Sequence, residues 1–85
     1  MSLPLTLDSL VLHAPAIVHA VIAPAAMPDW ARWLAEIGFL PGEHVRVIAR
    51  AAGADPLVVR IGDSTFALRK AEAACVQVLP AGEVA

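Results

Sequence analysis

Cysteine is nearly absent from this 85-residue chain, in which Cys75 is the only one. No disulfide can form within the chain, whereas small secreted domains usually depend on several. The composition therefore favours a reducing compartment, and we expect a cytoplasmic protein. We expect Cys75 to be a small apolar packing residue, because nothing close to it in sequence would lower the pKa of its thiol.

Basic residues are also scarce, and they are not clustered. Six Lys and Arg against eight Asp and Glu give a net charge of −2, and the six are spread between Arg32 and Lys70. Proteins that bind nucleic acid or anionic lipid usually carry a run or patch of positive charge. We therefore expect no nucleic-acid partner. Arg46, Arg50 and Arg60 are predicted to share one outer face of the fold and to be solvated there.

Long uninterrupted apolar runs are absent. Residues 9–28 contain no Lys, Arg, Asp or Glu, but three prolines and two histidines interrupt them. A membrane-spanning helix needs ~20 predominantly apolar residues. A signal peptide needs a basic start, and no Lys or Arg precedes Arg32. We expect neither direct membrane insertion nor secretion.

The residue types that carry catalysis or hold cofactors are few and scattered. The five hydroxyl side chains and three histidines form no evident nucleophile–base pair, and no G-x-x-x-x-G-K phosphate loop or Cys-x-x-Cys motif occurs. We predict a non-enzymatic protein with no intrinsic cofactor and no metal site built within one chain. A surface divalent ion shared between two molecules remains open, with His19, Glu43 and His44 as exposed candidate ligands.

One clear helix is present at residues 28–37. Pro28 suits the first helical position, and Asp29 suits the positive end of the helix dipole. Gly38 is expected to end the helix as a C′ glycine. The apolar residues that follow helical spacing, and are therefore predicted to form its buried face, are Met27, Trp30, Ala31, Leu34 and Ile37.

The apolar pattern changes from helical to period two after Pro41 and Gly42, which suit the central positions of a type II turn. Strands are predicted near residues 17–22, 45–50, 57–62, 65–68 and 76–78, with short helical turns at 6–10 (capped by Thr6 or Asp8) and 69–74. Five short strands, with the helix between the first two, predict a mainly β, small antiparallel barrel. We expect a single domain over residues 1–85, with its core at about residues 7–79.

Three segments resemble the ferrous iron transport protein A (FeoA) family. Residues 34–42 resemble its helix end and Pro-Gly turn, residues 55–57 the turn into its middle hairpin, and residues 67–73 the segment before its last strand. The resemblance covers about residues 7–78 and implies an SH3-like barrel. His13 stands where the family usually has Gly, and Trp33 where members often carry a basic residue. Because His tolerates a left-handed backbone better than most residues, we expect the turn at His13 to persist.

The same resemblance implies a function. It implies a non-enzymatic accessory or regulatory protein of bacterial ferrous iron uptake, which binds the cytoplasmic GTP-binding part of the FeoB transporter. Such a protein would be peripheral to the inner membrane through the transporter, and a weak homodimer is left open. The barrel also occurs as the C-terminal domain of iron-dependent repressors. A metal- or nucleic-acid-binding module is therefore the alternative.

Trp33, Phe39 and Leu40 are the predicted partner-binding residues, with Arg32 and Glu36 at their rim. On an ideal helix, Trp33 is rotated by about 100° from Leu34, which belongs to the predicted buried face. The Trp33 side chain is therefore expected at the edge of that face. Trp is enriched at binding hot spots, and a small barrel cannot easily bury three further large apolar residues. Two alternatives stay open: Trp33 is a half-buried cap of the core, or Phe39 and Leu40 fold back and close the barrel end.

Overall fold

The computed structural model describes residues 5–81. Its strands are β1 (Leu5–Thr6), β2 (Ala16–Val21), β3 (His44–Arg50), β4 (Leu57–Ile61), β5 (Ser64–Leu68) and β6 (Val76–Pro80). They form one antiparallel sheet in the order β1-β6-β2-β3-β4-β5. Helix α1 (Asp29–Glu36) connects β2 and β3, and the short helix α2 (Lys70–Ala73) precedes β6. Two 3₁₀ turns, Leu7–Ser9 and Ala52–Ala54, complete the described elements.

The predicted mainly β, antiparallel architecture is confirmed, and the five predicted strands correspond to β2–β6. The sheet also has a sixth strand, β1. The sequence does not predict it, because a strand of two residues is too short to show an alternating apolar pattern. β1 pairs Leu5 with Val78. The predicted helical turn at residues 6–10 is the 3₁₀ turn Leu7–Ser9, and Thr6 lies at its N-cap position, as predicted. Thr6 precedes the turn without a side-chain capping bond, and instead the Ser9 hydroxyl donates to the Thr6 carbonyl oxygen at 2.7 Å.

Helix α1 ends in a motif that reverses the chain. Gly38 has φ 121°, and its N–H donates to the carbonyl oxygen of Ala35 at 3.1 Å. The Phe39 N–H donates to the carbonyl oxygen of Leu34 at 3.0 Å. These two bonds form a Schellman motif, which commonly brings the side chain after the glycine against the last helical turn. The predicted role of Gly38 is confirmed, and Leu34 and Phe39 are both fully buried.

The predicted type II turn is confirmed at Pro41 and Gly42. The Glu43 N–H donates to the Leu40 carbonyl oxygen at 3.0 Å, and Gly42 has φ 93°. This turn is also bonded to β2. The Gly42 N–H donates to the Val18 carbonyl oxygen, and the Val18 N–H donates to that of Glu43, both at 2.9 Å. The turn therefore couples the end of the helical segment to the sheet.

The core lies on the inner face of the curved sheet, because alternate strand residues point to opposite faces. Among the described residues, the largest fully buried side chains come from the first 3₁₀ turn, α1, the segment after α1 and five of the six strands: Leu7, Val18, Leu34, Phe39, Val47, Leu57, Val59, Leu68, Val76 and Val78. Several outward residues of the same strands are exposed, including His19 on β2 and Arg46 on β3. Within residues 5–81, no helix has both the length and the apolar composition needed to cross a bilayer.

The pairing of β3 with β4 determines which outward side chains meet. Arg46 lies directly opposite Arg60, and a bulge between Val47 and Ala49 shifts the register beyond them. The loop before β2 is bonded to the same region, because the His13 N–H donates to the Val47 carbonyl oxygen at 2.8 Å. His13 has φ 68°, which confirms the left-handed turn expected at this position.

Candidate interaction surfaces

The first candidate surface is formed by α1 and the turn that follows it. Trp33 is 38% exposed and Leu40 is 48% exposed. Arg32 and Glu36 are solvent-exposed, with the Arg32 Nε atom 3.9 Å from the Glu36 Oε2 atom. We call these four residues the helix surface. Their predicted exposure is confirmed, whereas their role in binding a partner stays a prediction.

Phe39 does not belong to this surface, and its predicted exposure is wrong. Its side chain is fully buried, and its ring centroid lies 6.5 Å from that of Phe66 with an angle of 51° between the ring planes. The reason is the Schellman motif, which turns Phe39 back toward Leu34. The alternative in which both turn residues fold back is therefore correct for Phe39 and wrong for Leu40.

The buried face of α1 also differs from the prediction at one end. Trp30 and Ile37 are partly buried and pack against the core, as expected. Met27 is 44% exposed, although it was assigned to the same face. Met27 lies in a turn before the helix, where its carbonyl oxygen accepts the Trp30 N–H at 3.1 Å. Because Met27 lies outside the helix, helical spacing does not place its side chain on the buried face of α1.

The second candidate surface is an open cleft of about 430 Å³ over the outer face of β3 and β4. We call it the arginine cleft, and its polar side chains are Arg46, Arg60, His13 and His44. The prediction that Arg50 shares this face is wrong. The Arg50 guanidinium donates to the carbonyl oxygen of Asp8 at 2.9 Å and to that of Leu10, so it ties the 3₁₀ turn to the end of β3.

Cys75 has the packing role that its sequence context predicts. Its side chain is buried, and its Sγ atom donates to the Ala71 carbonyl oxygen at 3.5 Å. Burial raises the pKa of the thiol, and the carboxylates of Glu72 and Asp8 raise it further. The thiol is therefore protonated at neutral pH, which is the form with little nucleophilic reactivity.

The described residues do not fit a metal site within one chain. Residues 5–81 contain no group of three or more His, Cys, Asp or Glu side chains placed to hold an ion. His19, Glu43 and His44 are all exposed, as the sequence predicts. An ion shared between two molecules would need ligands from both, and that arrangement stays a prediction.

The geometry of one six-stranded antiparallel sheet with a helix between β2 and β3 agrees with a known family. A family model described as the FeoA domain matches residues 5–80. The chain belongs to the FeoA family. No curated protein matches it. The predicted family and the predicted SH3-like fold are both confirmed, and the family is one of ferrous iron transport.

Solved structures show how far the likeness extends. The zinc complex of Stenotrophomonas maltophilia FeoA, described as an SH3 domain protein and a candidate activating factor for ferrous iron transport, is 43% identical to this chain. The match covers 88% of this chain and 89% of that one, with a TM-score of 0.81. Iron(II) transport protein A from Clostridium thermocellum is 31% identical over 92% of this chain and 46% of its own, with a TM-score of 0.78.

The fold is also shared outside transport proteins. A manganese-dependent transcriptional repressor is 24% identical to this FeoA chain over 94% of this chain and 44% of its own, with a TM-score of 0.77. At this identity the likeness shows the fold alone. On the basis of the family resemblance we expect the barrel in iron-dependent repressors, and this match shows the same fold in a manganese-dependent one.

Sequence reasoning did not identify the arginine cleft as a distinct surface. The outward positions of Arg46 and Arg60 follow from the period-two pattern, and both were predicted on one face. Their direct opposition depends on the register of β3 against β4. The turn at residues 51–56 and the bulge together set that register. The conformation of the turn and the position of the bulge cannot be predicted from the sequence pattern.

Proposed function

We propose that this FeoA chain is a non-enzymatic accessory protein of bacterial ferrous iron uptake, which binds the cytoplasmic GTP-binding part of a FeoB-type transporter. The observation that carries the proposal is the FeoA domain match over residues 5–80. It is supported by 43% identity to a FeoA described as a candidate activating factor for ferrous iron transport. The protein would work in the cytoplasm and reach the inner membrane through the transporter.

The helix surface is the proposed contact with the transporter. Trp33 and Leu40 offer large apolar side chains that are 38% and 48% exposed. Apolar anchors surrounded by charged groups are the usual anatomy of a binding site. Arg32 and Glu36 supply such a rim, and their exposed ion pair contributes little to folding stability. Both charges can therefore be reorganised by a partner at small cost.

The test is a binding titration with the isolated GTP-binding domain of the FeoB encoded in the same bacterium, followed by calorimetry. We expect Trp33→Ala to weaken binding by about 1 kcal/mol or more, because truncating a Trp anchor removes a large desolvated contact. Leu40→Ala should weaken binding in the same direction. Val11→Ala is the matched control, since this apolar residue is 76% exposed and lies outside the helix surface.

Thermal melts of the same variants separate binding from folding. A loss of affinity with an unchanged melting temperature supports the helix surface as the contact. If Val11→Ala weakens binding as much as Trp33→Ala, the contact lies elsewhere. If calorimetry detects no heat of binding between the unmodified chain and the GTP-binding domain, whichever nucleotide that domain holds, the proposed partner itself is wrong.

The alternative, a metal- or nucleic-acid-binding module, has less support. Its basis is the fold likeness to the manganese-dependent repressor, and fold likeness alone does not carry function. Small barrels that bind single-stranded nucleic acid usually stack bases on aromatic side chains. The residues lining the arginine cleft include no aromatic ring of Phe, Trp or Tyr type. We therefore do not extend that function to this chain.

A further inference from the structure

The arginine cleft is a cationic surface that the proposed transporter contact does not use. It shares no residue with the helix surface, and it lies on β3, β4 and the loop before β2. None of the residues that line it is acidic. Two guanidinium groups and two imidazoles therefore border one concave space of about 430 Å³.

The placement of Arg46 opposite Arg60 is unfavourable in the isolated domain. Like charges directly opposite each other on neighbouring strands repel and destabilise the pair. Within residues 5–81, neither arginine has a carboxylate within 4.0 Å, whereas Arg32 pairs with Glu36. Arg50 is engaged with backbone carbonyl groups. The guanidinium donors of Arg46 and Arg60 are therefore available to an external anion, which would also relieve their repulsion.

The surrounding residues leave the space between the arginines accessible. Gly62 lines the cleft without a side chain, and a Cβ atom placed there would lie 3.8 Å from the Glu43 Oε1 atom. Glu43 therefore lies beside Gly62 but is not one of the residues that line the cleft, and it is beyond the 4.0 Å ion-pair distance of either arginine. The hydrogen bond from the His13 N–H to the Val47 carbonyl oxygen holds the opposite wall in place.

The chemistry of these groups selects the class of ligand. Two arginines, with no carboxylate among the lining residues, favour an anion over a cation between them. The lining contains no Phe, Trp or Tyr ring, the side chains on which small barrels usually stack bases. Guanidinium forks bind carboxylates in a planar, bidentate geometry, and two neighbouring forks match two carboxylates.

We propose that the arginine cleft binds neighbouring carboxylates of an acidic segment in a partner protein. Arg46 and Arg60 each hold one carboxylate, and His44 and His13 supply additional N–H donors at the sides. This site goes beyond the proposed transporter contact, and it does not depend on the helix surface. It gives the domain a second face for protein binding, so that two partner segments can be held at once.

The test uses NMR titration of the ¹⁵N-labelled full chain with a synthetic ten-residue peptide of alternating Glu and Ser. We expect saturable shifts confined to the backbone amides of residues 13, 14, 16, 44–48 and 60–62. The double variant R46Q/R60Q should weaken the peptide affinity by about tenfold or more, because two charge-assisted interactions are lost. Thermal melts of the variants should show an intact fold, since both arginines are exposed.

The matched control is R32Q, which removes one positive charge from the exposed pair on α1. Single R46Q or R60Q variants carry the same net charge as R32Q, so unequal effects separate contact from overall charge. Equal weakening by R32Q and R60Q would overturn the proposal. Tighter binding of a ten-residue oligothymidylate than of the peptide, or full displacement of the peptide by an equal concentration of inorganic phosphate, would overturn it as well.

Discussion

Phe39 and Leu40 are adjacent apolar residues with opposite positions in the fold. Phe39 is fully buried against Phe66, whereas Leu40 is 48% exposed. The difference arises from the backbone between α1 and the next turn, since the Schellman motif places only the residue after Gly38 against the helix. At the scale of single residues, local backbone geometry therefore decides which apolar side chain supports the core and which is available to a partner.

Cys75 provides a residue-scale prediction about pH. The pKa of its thiol is raised above the ordinary value of 9.0 by burial and by two carboxylates. Above about pH 9 the unfolded chain releases this proton more readily than the folded chain, so the free energy of unfolding falls as pH rises. Below that pH the contribution is fully present. We expect Cys75→Ala to show a shallower fall in unfolding free energy between about pH 8 and pH 10.5.

Urea unfolding at several pH values measures this difference. The comparison uses the slopes against pH, because removing the buried sulfur also lowers stability at every pH through lost packing. Every other titrating group is common to the two proteins. Parallel curves for Cys75→Ala and the unmodified chain would mean that burial does not oppose ionisation of this thiol.

The type II turn shows how one element depends on its backbone as well as on its contacts. Gly42 has φ 93°, which side chains rarely adopt, and its N–H is bonded to the Val18 carbonyl oxygen of β2. Nothing lies within 4 Å of the position that a Cβ atom would take. A substitution there is therefore opposed by backbone strain and not by a clash.

We expect Gly42→Val to destabilise the domain by about 1–3 kcal/mol, because a β-branched residue is strained at positive φ. Gly42→Asn is the matched control, since Asn adopts left-handed conformations more readily than Val and should cost less. Chemical unfolding monitored by tryptophan fluorescence gives both values. Equal losses for the two variants would argue that volume, and not backbone conformation, limits this position.

At the scale of the whole molecule, the fold separates two chemically different faces. The helix surface is apolar with a charged rim, and the arginine cleft is cationic and concave. The candidate metal ligands His19, Glu43 and His44 are exposed on the sheet and the turn before β3. None of them forms a three-ligand group within residues 5–81.

We predict that a divalent ion joins two molecules through these exposed side chains. Zinc is the appropriate probe, because the related Stenotrophomonas maltophilia FeoA is known as a zinc complex. Sedimentation velocity should show a zinc-dependent dimer, which chelation with EDTA reverses. His19→Ala or His44→Ala should weaken this dimer, whereas His13→Ala serves as the control. Tight binding of one zinc per monomer that survives dilution would contradict the prediction.

The sequence alone determined the features that depend on near neighbours along the chain. Pro28, Asp29 and Gly38 indicated the helix, and Pro41-Gly42 indicated the turn. A β-branched run between prolines indicated the first predicted strand, and period-two alternation indicated those near residues 45–50 and 57–62. The match of residues 34–42 to the FeoA pattern is also a local feature, because helix ends and tight turns are built from interactions within a few residues.

Only the tertiary structure decided the contacts between distant segments. It supplied Phe66 as the packing partner of Phe39, placed Arg46 opposite Arg60, and directed Arg50 to carbonyl groups of residues 8 and 10. Each outcome requires a register or a packing partner that is remote in sequence. A shift of one residue in a strand would send its side chains to the other face, and such a choice is made by the assembled core.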